Sequence, residues 1–204
     1  MLITIGKTQV SIERGIARWV AGMAIDFDGA PNAYAPIGVG KPLDALGNAG
    51  SPGKWWGLAC TDGGEPFVQR QSDPFPGYYI STTALVDPNW PARDPRKYVD
   101  ARRVPYIAVP KALLSAGVRK GDLCLVECGA LRSAAIVADV GPAGKIGEGS
   151  PALATALGIP AGRSGGCRDG VLYRVFIGSA EKPPWPRPDF QSLAEQLAAS
   201  HDPA

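Results

Sequence analysis

The segment Ala134-Ala-Ile-Val-Ala-Asp139-Val-Gly-Pro-Ala-Gly-Lys-Ile-Gly-Glu148-Gly-Ser-Pro-Ala-Leu-Ala-Thr-Ala-Leu-Gly158 decides how the rest of the chain is interpreted. It begins with an apolar run that predicts a buried strand ending at Asp139. A glycine-rich turn follows and carries a second carboxylate, Glu148. Ser150 and the proline after it supply the N-cap and first turn of a short helix, which Gly158 is placed to end.

Asp139 and Glu148 are candidate catalytic residues because a strand end and a capped helix would hold them at a fixed separation. General acid–base cleavage requires such a frame. The alternative is structural, since Asp commonly binds turn amides and Glu favours a helix N-terminus. Asp139 ends an apolar strand, which predicts a raised pKa and the role of acid. Glu148 precedes a helix start, which predicts a stabilised negative charge and the role of base.

The composition predicts a globular chain of short strands. The chain has 204 residues, of which 45% are hydrophobic and 20% charged, enough for one sizeable core. Its 26 Gly and 20 Pro exceed average usage and indicate many turns. Short strands, few helices and no strand–helix alternation predict a mainly β or α+β barrel.

Charge and hydropathy exclude several partner classes. The formal charge is +2 and no Lys/Arg run is present, which argues against a nucleic-acid partner. No apolar segment approaches membrane-spanning length, and residues 1–7 lack the layout of a secretory signal. We therefore expect no membrane partner, and a chain that is mature, cytoplasmic or exported without a cleaved signal. A monomer without a cofactor is expected, and its location stays open.

The cysteines and the histidine limit the chemistry further. Cys60, Cys124, Cys128 and Cys167 lack the paired spacing of a zinc site, so disulfides and buried thiols both stay open. Cys124 and Cys128 fall on one face of a predicted strand. The single histidine, His201, lies in the tail, which argues against Ser-His-Asp and Cys-His mechanisms and against a histidine-bound metal. No metal site is expected.

Two further pairs are candidate substrate-binding residues. Asp26 and Asp28 would face the same side of an extended chain and could bind a hard cation, sugar hydroxyls or the other acids. Because Gly29 follows, a simple Asp-Gly turn is the alternative, and the next residues lack the donors of a calcium loop. Trp55 and Trp56 lie in a loop-rich segment, where aromatic rings either stack on sugars or plug the core.

The remaining pattern predicts a single barrel with a C-terminal extension. Strands are predicted in both halves of residues 2–12 and at 67–70, 78–85, 104–109, 123–128 and 169–178. Lys182 to Pro188 is a polyproline-like spacer, after which Asp189 would cap an amphipathic helix carrying Phe190, Leu193 and Leu197. We expect residues 1–180 to form one catalytic domain, with residues 181–204 packed on it or trailing it.

Four blocks of the chain resemble, in the same order, those of the fungal-type chitosanases of glycoside hydrolase family 75. The blocks are Ala24-Ile-Asp26-Phe-Asp28-Gly29, Val104-Pro-Tyr106-Ile-Ala-Val-Pro110, the Asp139–Glu148 segment with Ser150 and Leu153-Ala154, and Asp169-Gly-Val-Leu-Tyr173. They cover most of residues 20–178, although the loops between them do not match.

The resemblance implies an endo-acting hydrolase of β-1,4-linked glucosamine polymers in which Asp139 and Glu148 are catalytic. It also implies a six-stranded, double-psi-like β-barrel with long loops. Departures are Phe27 where the family usually has Cys, Gly149 where it usually has Ala, and the absent secretion signal. The first suggests different disulfides, and the last puts an extracellular, nutrient-degrading role in doubt.

Two alternatives accompany this interpretation. The strand–acid–Gly-Pro stretch is also similar to double-psi-barrel lytic enzymes that cut peptidoglycan glycan strands, to which a phage or secretion machine could deliver such a chain. The other alternative is a sugar-binding barrel that has kept the fold without turnover. Retention of both acids and of Asp26 and Asp28 favours the enzyme.

Overall fold

A computed structural model describes residues 1–180 and 190–201 of the chain. Its strands are β1 (Leu2–Ile5), β2 (Thr8–Glu13), β3 (Ile16–Ile25), β4 (Gly50–Ser51), β5 (Lys54–Trp55), β6 (Tyr106–Ala108), β7 (Leu123–Cys128), β8 (Leu131–Asp139), β9 (Glu148–Gly149) and β10 (Cys167–Phe176). Its α-helices are α1 (Lys111–Ser115), α2 (Pro151–Ala156) and α3 (Phe190–His201).

Six strands close into a barrel in the order β3, β10, β7, β8, β6, β9 and back to β3. The pairs β6–β8 and β3–β9 are parallel, and the other four pairs in the ring are antiparallel. Strands β1 and β2 extend the sheet beside β3. The expected mainly β, six-stranded barrel with a short C-terminal helix is confirmed.

The two faces of the central hairpin β7–β8 contribute to separate apolar clusters. Cys124, Val126 and Val137 belong to one cluster, together with a Trp19–Tyr173 ring stack whose centroids lie 5.0 Å apart. The side chains of β7 and β8 that point the other way belong to a second cluster: Leu123, Leu125, Ala134, Ile136 and Ala138. Helix α3 contributes Ala194 and Ala198 to the same cluster. Burial on both faces explains why these strands read as continuous apolar runs rather than as alternating ones.

The predicted helix after the glycine-rich turn forms as α2, and Ser150 caps it as expected. Ser150 Oγ accepts hydrogen bonds from the backbone N–H of Leu153 (3.1 Å) and of Tyr106 (3.0 Å). It also donates to the Val104 carbonyl at 2.9 Å. This buried hydroxyl therefore joins the start of α2 to the start of β6.

Replacing Ser150 with Ala is expected to lower the free energy of unfolding by about 2–4 kcal/mol, because it removes a cap and leaves buried polar groups without partners. For a domain of this size the melting temperature should fall by about 5–10 °C. Thermal unfolding measures it. The matched control is Thr155→Ala, which removes an exposed hydroxyl that donates to Pro151 O in the same helix. Equal melting temperatures for the two variants would contradict a stabilising role for the Ser150 hydrogen bonds between α2 and β6.

The prediction of strands at residues 67–70 and 78–85 is wrong, because neither range forms a regular strand. This region pairs only through isolated bridges, such as Val68 with Tyr79 and Leu58 with Ser81. The hydroxyls explain the irregular path: Ser81 Oγ accepts from Gly29 N, and Thr83 Oγ1 accepts from Val99 N while donating to Leu85 O. Side-chain hydrogen bonds of this kind compete with a regular ladder.

The C-terminal helix α3 packs on the barrel against β7 and β8. The predicted spacer and the Asp189 cap lie outside the described residues. Among those residues all four cysteines are free thiols, and Cys124 is fully buried. None of the described helices has the length and apolarity needed to span a membrane.

Candidate active site

Asp139 and Glu148 stand on either side of Ala108 in neighbouring strands of the barrel. Ala108 of β6 pairs with Asp139 of β8 in one direction and with Glu148 of β9 in the other. Residues directly opposite each other in paired strands project from the same face of a sheet. The two backbone positions are thus two strand spacings apart, about 10 Å. The β6–β8 register shifts between Ile107 and Ala108, and the side chains of Asp139 and Glu148 nevertheless line the same cleft.

The two acids of the Asp26-Phe27-Asp28 segment approach the same place from the end of β3. The pairing of Ala24 with Glu148 continues through a hydrogen bond from Asp26 N to Gly149 O at 2.9 Å. Because Asp26 is two residues beyond Ala24, its side chain emerges on the face of Glu148. Ala30 N donates to Phe27 O at 3.0 Å, so the predicted turn over Asp28 and Gly29 forms, and Asp28 N donates to Asp26 Oδ1 at 3.0 Å. The substrate-binding role of the two acids stays a prediction.

Buried hydroxyls fix the position of this acid segment. The Tyr106 hydroxyl donates toward the main-chain carbonyls of both Asp26 (3.2 Å) and Asp28 (2.8 Å), and Tyr106 is fully buried. The Tyr34 hydroxyl donates to Asp28 Oδ1 at 2.7 Å. Ser81 Oγ lies 3.5 Å from the same oxygen. Tyr34, which is nearby in sequence, and Ser81, which is distant, therefore orient the Asp28 carboxyl, while Tyr106 holds the main chain of the segment.

A cleft of about 650 Å³ is lined by all four of these acids. Its volume is within the range usual for ligand sites, about 300–1,000 Å³. Its other charged lining residues are Asp44, Lys111 and Lys145. Trp56 also lines the cleft with 62% of its surface exposed, and its ring nitrogen donates to Asn48 O at 3.0 Å. That bond holds an exposed aromatic face at the rim.

The structure does not bring Trp55, predicted to bind substrate, into the cleft. Trp55 packs against the second apolar cluster instead, as a half-buried core side chain. The reason is strand alternation: Trp55 ends β5, and successive side chains of an extended chain point to opposite sides. Of the tryptophan pair, only Trp56 is placed to contact a ligand in the cleft.

Burial raises the pKa of every acid in the group. Desolvation is the main cause for Asp26, Asp28, Asp139 and Glu148. Repulsion from Asp28 and Asp139 raises the pKa of Asp26 further. Backbone N–H groups of Val140 and Ala84 oppose the rise at Asp139, and Ala84 N lies 2.8 Å from Asp139 Oδ1.

The direction of the pKa shift expected for Asp139 is therefore found, and the one expected for Glu148 is wrong. Burial raises the pKa of Glu148 despite the nearby helix start, and Lys145 offsets only part of the rise. Helix α2 has six residues, and its first amides are already bound: Leu153 N donates to Ser150 Oγ and Ala152 N to Ala101 O. Little of its dipole is left to favour the Glu148 charge.

Three of the acids are close enough to share one small cation or proton. Carboxylate oxygens of Asp26, Asp28 and Asp139 lie within 4.8 Å of one another. Raised pKa values favour a shared proton, because the three charges repel one another at this distance. The expectation that the site needs no metal stays a prediction.

The buried acids are expected to make the protein less stable as pH rises. A carboxyl whose folded pKa is above its unfolded value contributes stability that is present below the unfolded pKa and is lost as pH rises through the folded pKa. Asp26→Asn removes one such group and keeps an oxygen for Asp28 N. We expect this variant to melt at least about 3 °C above wild type at pH 8, with a smaller difference at pH 5. Thermal melts from pH 5 to 9 measure the difference.

The control for this experiment is Glu13→Gln, which neutralises an exposed carboxylate on β2. Its melting temperature should follow that of wild type across the pH range. An Asp26→Asn variant that melts below wild type at pH 8 would contradict the desolvation argument.

Sequence reasoning missed the residues that hold the acids. Tyr34, Tyr106 and Ser81 contact Asp28 or its segment, and Asp44 receives hydrogen bonds from Asn48 Nδ2 at 2.9 and 3.0 Å. The Pro105-Tyr106 block was the one available signal, because it belongs to the resemblance although its role was not assigned.

No protein-family model matches the chain, and no curated protein is detectably similar to it.

Proposed function

We propose that the protein is a glycoside hydrolase that cleaves β-1,4-linked amino-sugar polysaccharide, chitosan-like, by general acid–base catalysis. The observation that carries the proposal is the placement of Asp139 and Glu148 on the two sides of Ala108, both lining one cleft. Inverting glycosidases hold their two carboxyl groups about 6.5–9.5 Å apart, which leaves room for a water molecule. Backbones two strand spacings apart leave room for carboxyl groups in that range, whereas the ~5 Å of retaining enzymes would require the two side chains to lean towards each other.

Asp139 acts as the general acid and Glu148 as the general base in this proposal. Burial keeps the Asp139 carboxyl protonated to higher pH, so it can protonate the glycosidic oxygen as the bond to the anomeric carbon breaks. Glu148, close to Lys145, takes a proton from the water that attacks the anomeric carbon from the opposite face. The proton given by Asp139 leaves with the alcohol, and the hydroxyl of the water stays on the anomeric carbon. Glu148 then loses its extra proton to solvent and Asp139 takes one up, which restores both groups.

Asp26, Asp28 and Trp56 bind the sugars in this scheme. The ammonium group of a glucosamine unit would favour ionisation of a nearby buried carboxyl, and the exposed face of Trp56 suits stacking on the apolar side of a ring. Asp26→Asn and Asp28→Asn are expected to raise KM for chitosan about tenfold or more, and to change kcat less than the catalytic substitutions do. Steady-state kinetics measure both constants. Two variants with wild-type KM and kcat would leave the segment as a structural turn.

Release of reducing ends from chitosan, chitin and purified peptidoglycan tests the proposed activity. Chitosan should be cleaved fastest, because the cleft presents several acids to its free amines. Cleavage of peptidoglycan alone would move the function to the lytic alternative, for which Lys111 and Lys145 would face the acidic groups of that polymer. Binding of chitosan without cleavage at any pH from 4 to 8 would leave a sugar-binding barrel.

A further inference from the structure

Two of the four thiols meet where β7 ends and β10 begins. Cys128 is the last residue of β7 and pairs with Val171 of β10. Cys167 is the first residue of β10, and the strand is irregular between Cys167 and Val171. From Val171 to Cys167 β10 advances four residues while its partner β3 advances only two, from Ala21 to Met23, so Cys167 becomes a diagonal neighbour of Cys128 on the same face of the sheet. In keeping with this, the Cys128 thiol is one of the groups that raise the pKa of Cys167, after burial. Both side chains are half-buried against the same apolar cluster.

The other two thiols are placed differently. Cys124 is fully buried within the cluster, and its thiol is directed to Asp122 O at 3.7 Å. Cys60 lies in the loop region, where its thiol is directed to Leu58 O at 3.6 Å. Cys167, in contrast, lines a second open cavity of about 550 Å³ beside Ser164, Gly165 and Arg168. A small oxidant can therefore reach Cys167, while Cys128 is already its neighbour.

The chain between the two cysteines contains the candidate catalytic segment. Residues 129–166 include β8, the glycine-rich turn, β9 and α2, and thus both Asp139 and Glu148. A bond between Cys128 and Cys167 would close this segment into a covalent loop. Closing a loop of that length limits the unfolded chain and stabilises the folded one.

We propose that Cys128 and Cys167 are a redox-sensitive pair that forms a disulfide under oxidising conditions and staples the segment carrying Asp139 and Glu148. With a small disulfide such as oxidised glutathione as oxidant, the Cys167 thiolate attacks one sulfur and releases one glutathione thiolate. The Cys128 thiolate then attacks the mixed disulfide at Cys167 and releases the second. Two cysteine thiols lose two protons and two electrons, and one glutathione disulfide becomes two thiols. The bond itself does not depend on glycan cleavage; only its effect on activity rests on the proposed function.

The test is oxidation of the purified protein by oxidised glutathione at pH 8.5, since burial raises the pKa of the Cys167 thiol and slows its reaction at neutral pH. We expect a linked Cys128–Cys167 peptide in a non-reducing mass-spectrometric map and two remaining thiols in the unfolded protein. The melting temperature should rise by about 5–10 °C. Dithiothreitol should reverse all three changes.

Cys60→Ser is the matched control and should keep both the linked peptide and the rise, whereas Cys128→Ser and Cys167→Ser should lose them. Four free thiols after oxidation, a different linked pair, or a glutathione adduct that stays on Cys167 would each overturn the pairing. The correct link with an unchanged melting temperature would overturn the stapling role. Because these measurements use no glycan, they stand even if chitosan is not the substrate.

Discussion

Asp139→Asn is expected to lower kcat on chitosan by about three orders of magnitude, because the substitution removes the proton that the leaving oxygen needs. Loss of a positioned general acid typically costs 10²–10⁴-fold. The Asn side chain keeps an oxygen to accept from Ala84 N, so the fold should be preserved. Near-wild-type kcat for Asp139→Asn with natural substrate would contradict the assignment.

A substrate with an activated leaving group separates the two acids. Such a substrate needs no proton from the enzyme, so Asp139→Asn should regain most of its activity on it. Glu148→Gln should not, because the attacking water still lacks its base. Rescue of Glu148→Gln alone would reverse the roles, and rescue of neither variant would contradict this division of labour. Thermal melts of both variants check that each is folded.

The second large effect is expected at Gly141, which follows the candidate acid by two residues and contacts the candidate base. A Cβ at this position would lie 2.5 Å from Glu148 Oε2 and 3.8 Å from the Ala108 Cβ. Gly141→Ala must therefore displace the Glu148 carboxylate, which is the mobile end of its side chain, by roughly 1 Å. A misplacement of that size can cost about 10²-fold in kcat.

The control for Gly141→Ala is Gly162→Ala, at an exposed glycine whose Cβ would have nothing within 4 Å. Steady-state kinetics and thermal melts of both variants measure the effect. We expect a small change in melting temperature for each and a large change in kcat for Gly141→Ala alone. Equal kcat values for the two variants would show that the position of Glu148 does not matter for turnover.

Local sequence patterns predicted the elements whose signals are local. Strands β7, β8 and β10 follow their apolar runs, and α2 begins at Pro151, directly after its predicted cap Ser150. Residues 78–85 alternate like a strand, yet the hydroxyls of Ser81 and Thr83 bind backbone groups from elsewhere in the chain. Those partners are distant in sequence, so no pattern within the segment could reveal them.

The candidate acids were identifiable because each follows or precedes a recognisable element. Their surroundings were not, since Tyr106 and Ser81 reach the Asp26–Asp28 segment only through the tertiary fold. The wrong direction for the Glu148 pKa has the same origin: burial depends on all neighbours, whereas the helix-start argument uses only the next few residues. Trp55 and Trp56 are adjacent and point to opposite sides of the chain. Strand β5 has only two residues, which is too short for the sequence to indicate which tryptophan faces the core.

The parallel pairing of β3 with β9 both closes the barrel and places Asp26 beside Glu148. On the β9 side this seam contains only Glu148 and Gly149, and the hydrogen bonds beside it join Ala24 N to Gly147 O and Asp26 N to Gly149 O. The carboxyls that burial disfavours as anions lie along the same line. Separation of β3 from β9 would expose these carboxyls to water and so relieve the cost of their charge. As pH rises, the amides of Ala24 and Asp26 should therefore lose protection, relative to their intrinsic exchange rates, before the other amides of the barrel strands.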